Sequence, residues 1–137
     1  MSSPDERRWH QRLDTFGTVL ARLTDACERE SYDHLQLVGL IKTFEFSFEL
    51  SWRVLMELLF HEGLDVRAPR AVIRKSFEVG YIDESDCETL VDALDKQKLM
   101  SGAYVLDAAQ EAETLIRGRY HPVLVRLRHA LEAMRTL

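Results

Sequence analysis

From Asp33 to Gly63 the chain reads DHLQLVGLIKTFEFSFELSWRVLMELLFHEG, with apolar residues recurring at three- and four-residue spacing but not confined to one face. That spacing belongs to an α-helix, here starting near Ser31 or Asp33 and running to about His61, with Gly63 as a natural stop. On a helical projection Leu37, Ile41, Phe44, Phe48, Leu55 and Leu59 form the core stripe. A second row, Phe46, Leu50 and Val54, lies well round from it. A surface helix keeps its far side polar, so this one is either central to the domain or shared between the core and a subunit interface. The expectation is the interface, with Phe46, Leu50 and Val54 in a dimer contact.

The rest of the chain supplies helices to pack against it. Ser3 can cap a first helix that has Pro4 at its first position and Asp5 and Glu6 in its first turn. Trp9, Leu13, Phe16, Leu20, Leu23 and Cys27 mark its apolar face. A short third helix is expected over PRAVIRKSFEVG, from Pro69 to Gly80, and a fourth capped by Asp83 carries Leu90, Leu94 and Leu99. A fifth run follows Gly102 with Val105, Ala108, Ala109, Ala112, Leu115 and Ile116, and Gly118 and Pro122 kink or split it. No alternating strand pattern of useful length and no internal repeat is evident. The fold class is therefore all-α, an up-and-down bundle of four to five helices forming a single domain over residues 1–137.

Composition narrows the functions open to such a bundle. The chain is 46% hydrophobic and 30% charged, the balance of an ordinary globular protein. A net charge of -5 opposes a general RNA-coating role, so any nucleic-acid contact needs a local basic patch. Two clusters qualify: Arg67, Arg70, Arg74 and Lys75, and then Arg117, Arg119, Arg126, Arg128 and Arg135. Either would hold phosphate or an acidic partner surface, or simply form a solvated face. Cys27 and Cys87 read as free thiols, the five histidines show no helical ligand pair, and neither a metal nor a cofactor is expected. Nothing approaches the roughly 20 apolar residues of a spanning helix, and the N-terminus lacks a secretory run, so a cytoplasmic location without membrane contact is expected.

Glu45 and Glu49 stand one helical turn apart with Trp52 on the next turn of the same side. Two partly buried carboxylates can share a proton or bind a cationic group; the plainer expectation is ion pairs with arginines of neighbouring helices, with Trp52 in the core. Lys96, Lys98 and Tyr104, in DKQKLMSGAY, gather where the fourth helix ends. Lysine and glycine are both common at a helix C-terminus, so spacing alone makes this stretch no more than a helix end.

Phe44, Glu45, Glu49, Leu50, Trp52 and Arg53 stand in the register Phe-Glu-x-x-x-Glu-Leu-x-Trp followed by a basic residue. This resembles the second helix of the nucleotidyltransferase substrate-binding proteins of the HEPN superfamily, and PRAVIRKSFEVGYID, residues 69–83, resembles their next segment. The resemblance implies a five-helix bundle that pairs as a homodimer and works with a small, separately encoded nucleotidyltransferase in a toxin–antitoxin module. It further implies a metal-independent RNase site, with Arg, four to six residues, then His, often followed by x-Tyr, facing its twin across the dimer. Arginine would hold the scissile phosphate and histidine act as acid or base while the RNA 2'-hydroxyl attacks. The partner would silence the toxin by adding AMP to the tyrosine. Aligned on Tyr104, this chain has Gln97 where arginine belongs, Lys98 where asparagine is usual and Gly102 where histidine belongs. Glutamine carries no charge and glycine no titratable group, so the expected protein is a catalytically degenerate member that binds the nucleotidyltransferase and a nucleotide or RNA near Lys96, Lys98 and Tyr104. The alternatives are an active RNase toxin using substitute residues, and a dimeric scaffold with no further activity.

Overall fold

The protein is described by a computed structural model that covers residues 2–97, Met100 and residues 106–137. The helices among the described residues include α1 (Pro4–Cys27), α2 (His34–His61), α3 (Pro69–Glu78), α4 (Glu84–Asp95), α5 (Leu106–Leu115) and α6 (His121–Arg135). A π-helical turn, Ile116–Tyr120, joins α5 to α6. No strand occurs among the described residues.

Short-range chemistry sets the helix boundaries. The Ser3 hydroxyl accepts from the Glu6 amide at 3.1 Å, and Asp33 and Gln36 form a reciprocal capping box at 2.8 and 2.9 Å. Asp83 accepts from the Asp86 amide at 2.8 Å to start α4. α2 and α3 end alike: Gly63 and Gly80 each turn to φ +90, and the next residue's amide, of Leu64 or Tyr81, donates 2.8 Å back to the carbonyl of Leu59 or Ser76. Only glycine adopts that φ without penalty.

The interruption expected at Gly118 and Pro122 is a turn rather than a break. Proline has no N–H to donate and its ring crowds the preceding helical turn. Widening to a π turn lets the His121 amide reach the Ile116 carbonyl, and Pro122 enters α6 in its first turn, where no donor is needed.

α2 sits at the centre, with α1, α3, α5 and α6 all packed against it. This corrects the reading of its second apolar row: Val54 is 0% and Leu50 6% exposed within the single chain, so both are enclosed by the chain's own helices. Phe46 alone of the three reaches solvent, at 54% exposure. So much of the helix can be buried because its small polar residues satisfy themselves. The buried Ser47 and Ser51 hydroxyls donate to the Thr43 and Phe48 carbonyls of their own helix, at 2.8 and 2.6 Å.

Arg117, on the π turn, ties the last helical run to α1. Its guanidinium donates to the Cys27 carbonyl at 3.2 Å, the Arg29 carbonyl at 3.1 Å and the Glu113 carboxylate at 3.1 Å. The last turn of α1 has no basic residue of its own, so this distant arginine meets the terminal carbonyl of Cys27 and the negative end of the helix dipole.

Candidate functional site

The signature residues of α2 divide into an inner and an outer group. Phe44 is fully buried and stacks on Phe48, with centroids 5.9 Å apart, and on Tyr120 of the π turn at 5.4 Å. On the outer side the carboxylate of Glu49 accepts from the Trp52 indole at 3.1 Å and from Arg53 Nε at 2.9 Å. The Arg53 guanidinium lies 4.9 Å above the Trp52 ring. Trp52, 7% exposed, packs its body in the core and turns its N–H to Glu49. Glu45 pairs with Lys42 at 3.2 Å. The ion pairs of Glu45 and Glu49 therefore form within α2 and not with arginines of neighbouring helices, because partners three or four residues away share the same face. The two carboxylates hold separate partners.

A second group assembles where α4 ends, around Asp92. Its Oδ2 accepts from the Tyr120 hydroxyl at 2.6 Å and faces Lys96 Nζ at 3.3 Å and Arg119 Nη1 at 3.2 Å. Burial by itself would raise the Asp92 pKa, but the Tyr120 and Lys96 hydrogen bonds and the charges of Lys96 and Arg119 outweigh it and hold the carboxyl below its usual value. Burial, together with the bond to Asp92, pushes the Tyr120 phenol well up, so this tyrosine stays a neutral donor. The π turn makes the cluster possible by presenting Arg119 and Tyr120, consecutive residues, to the same carboxylate.

Of the residues singled out from the sequence, Lys96 is thus part of a built cluster, with Gln97 directly following it at the end of α4. Lys98, Gly102 and Tyr104 lie outside the described residues. Of the signature residues it is Phe44, and not Glu45, Glu49 or Trp52, that links to Lys96, through Tyr120 and Asp92. Asp92 and Tyr120 were missed by sequence reasoning, and Arg119 was singled out only as one of a basic cluster, not as a partner of Asp92. The four-residue spacing of Asp92 and Lys96 was readable, but the arrival of residues 119 and 120 from a distant turn was not. Beside the cluster, Lys96 and Glu111 rim a half-open cavity walled by Met100, Ala108, Ala112 and Leu115.

Most cations of the two basic clusters are ion-paired. Arg67 pairs with Asp65 and Lys75 with Glu78, both at 2.8 Å, and Arg70 pairs with Asp95. In the last helical run Arg126 pairs with Asp86 at 2.8 Å, Arg135 with Asp14 at 2.7 Å and Arg128 with Glu132 at 4.0 Å. The thiols are poor nucleophiles. Burial, partly offset by Arg117 and assisted by Glu28, pushes Cys27 up to about 11, and burial also raises Cys87. His121 contacts the Thr24 hydroxyl at 2.8 Å, and its burial lowers its pKa against the pull of Glu28. Among the described residues no group of His, Cys, Asp or Glu is arranged to hold a metal ion. No described helix is long and apolar enough to cross a membrane.

A helical bundle built on a central helix, with a carboxylate-centred cluster at the end of α4, is the class of protein these features define. The sequence model for nucleotidyltransferase substrate binding protein-like chains matches residues 11–133, nearly the whole length, and the chain belongs to that family. A protein from Thermus thermophilus, known from its crystal structure, is similar in fold with a TM-score of 0.73 at 24% sequence identity. The match covers 88% of this chain and 98% of the Thermus chain. A comparison with curated proteins found no match.

Proposed function

We propose that this member of the nucleotidyltransferase substrate-binding family is a catalytically degenerate HEPN-type homodimer, part of a toxin–antitoxin-like module. It binds a small nucleotidyltransferase and takes a nucleotide in a groove near Lys96, Lys98 and Tyr104. The observation that carries the loss of catalysis is the chemistry of the motif positions. Gln97 and Gly102 offer neither a guanidinium for phosphate nor a group that titrates near neutrality. The cluster at Asp92 supplies no group that titrates near neutrality: the Asp92 carboxyl is held below its usual value and its oxygen is taken by Tyr120, Lys96 and Arg119, and the Tyr120 phenol is held neutral. Pull-down of the tagged protein from its native host, with mass spectrometry of its partners and of Tyr104, tests the module. A co-purifying small nucleotidyltransferase is the expected result, and a lone homodimer with unmodified Tyr104 would leave only the scaffold reading. Cleavage of RNA in metal-free buffer, abolished by Lys96→Ala with Lys98→Ala, would restore the active-toxin reading.

The dimer rests on the outer face of α2. Leu35, Lys42, Phe46, Glu49, Arg53 and Phe60 follow one another there at helical spacing, and Leu35, Phe46 and Phe60 are 81%, 54% and 38% exposed. Large apolar side chains in line, interleaved with charges of both signs, suit a self-complementary contact. Phe46→Glu is expected to yield a folded monomer in sedimentation velocity, because it places a charge in that contact while leaving the core untouched. An unchanged sedimentation mass would remove Phe46 from the interface.

A further inference from the structure

The exposed stripe of α2 has a finer order than helical spacing alone. Lys42, Phe46, Glu49, Arg53, Met56 and Phe60 follow one another at alternating steps of four and three residues, the repeat by which two helices pack along one seam. The middle of the stripe is already built. The Glu49 carboxylate accepts from Arg53 Nε at 2.9 Å and from the Trp52 indole at 3.1 Å, and the Arg53 guanidinium lies 4.9 Å above the Trp52 ring. Both charges are thus fixed in position while Glu49 stays 40% and Arg53 38% exposed. On one side of this ion pair Phe46 projects into solvent. On the other, Met56 and Phe60 form with Val66 the apolar wall of a half-open pocket of about 80 Å³. Ser51 marks the midpoint of Glu49 and Arg53, of Phe46 and Met56, and of Lys42 and Phe60 alike. The projecting ring and the pocket wall at Met56 therefore stand at equal distances from the centre of the ion pair, about 7.5 Å along the axis.

We propose that α2 packs antiparallel on α2 of a second copy, with the twofold axis at the level of Ser51, so that Phe46 of each chain enters the pocket beside Met56 and Phe60 of the partner subunit. The proposal rests on the dimer reading above and adds its register and the pocket it fills. In this register Glu49 faces Arg53 of the partner subunit and Arg53 faces Glu49 of the partner subunit, so the two ion pairs lie head to tail as four charges alternating in sign. Lys42 lays its stem and ammonium along the ring of Phe60 of the partner subunit. Charge and reach single out this arrangement. A parallel pair sets Lys42, Glu49 and Arg53 each against its own copy, and an antiparallel pair with its axis half a heptad nearer the helix start sets Lys42 against Arg53. An axis half a heptad nearer the helix end leaves Phe46 opposite Gly63, beyond the last turn of α2.

Sedimentation equilibrium of the parent, of Glu49→Arg, of Arg53→Glu and of an equimolar mixture of the two variants checks the register, with circular dichroism confirming that each chain is folded. Each variant alone faces like charges across the axis and is expected to self-associate at least about tenfold more weakly than the parent. Mixing them restores opposite charges at both positions, so a heterodimer should form with an affinity close to the parent's. Cross-linking reads the direction. Lys42→Cys mixed with Phe60→Cys should give a disulfide between positions 42 and 60, mapped by mass spectrometry, whereas Lys42→Cys by itself should not link to its own copy through position 42. Variants that dimerise as the parent does, a mixture that stays monomeric or lacks the 42-to-60 link, or Lys42→Cys linked to itself would overturn the register while leaving the homodimer in place. A parent chain that sediments as a monomer would overturn both.

Discussion

Phe44→Ala is expected to lower the unfolding free energy by about 4 kcal/mol, the cost typical of deleting a fully buried aromatic ring. The ring is 0% exposed and touches Phe48 on its own helix and Tyr120 on the π turn, so its loss opens a void where α2 meets the last helical run. Little collapse is available, because rigid helices surround the site. Since a domain of this size is stable by only about 5–15 kcal/mol, such a variant would be marginal at best. Urea unfolding followed by circular dichroism provides the number. A loss near ~1 kcal/mol, the low end for a buried side chain, would mean that the neighbours refill the space, and that this signature residue is retained for something other than packing.

Asp92→Ala should cost about 2 kcal/mol, because it leaves the buried Tyr120 hydroxyl without its acceptor and removes the shared partner of Lys96 and Arg119. In a Tyr120→Phe background the same change should cost markedly less, and a double-mutant cycle measures the coupling. The pH dependence has a definite sign. The folded-state pKa of Asp92 is depressed, so its contribution is present above the ordinary carboxyl value of 3.8 and is lost as pH falls below it. The Tyr120 phenol is raised, so its contribution is present below the ordinary value of 10.0 and is lost as pH climbs above it. Asp92→Ala should therefore flatten the acid limb of a stability profile and also weaken the alkaline one. Two profiles of identical shape would show that the cluster carries no stability through these protons.

Much of the fold was legible in the sequence because much of it is local. The caps of Ser3, Asp33 and Asp83 and the stops at Gly63 and Gly80 depend on residues within a few positions, and every one of them acts as its residue type suggests. The candidate site was legible only in part. Lys96 stood out as a cation at a helix end, but the significance of Asp92 depends on Arg119 and Tyr120, which lie 27 and 28 residues away in the chain. The pairing of the two basic clusters was hidden for the same reason. A count of arginines along the chain does not reveal that Asp86 waits on α4 for Arg126, or Asp14 on α1 for Arg135.

By itself the sequence determined that the chain would be helical, where its first three helices would begin and end, where α4 would start, and, through the register from Phe44 to Arg53, its family. Those properties follow from hydrogen bonds and side-chain periodicity within a turn or two of each residue. Only the tertiary structure decided which apolar residues of α2 are inside. Leu50 and Val54 are buried because α2 has neighbours on several sides, a number that no helical projection contains, while Phe46 faces outward. It also decided that the last helical run would pass through a π turn, which aims Arg117 at the end of α1 and Arg119 and Tyr120 at Asp92. Ion pairs and stacked rings between distant segments exist only once packing has set the helices in register, so they belong to the fold as a whole.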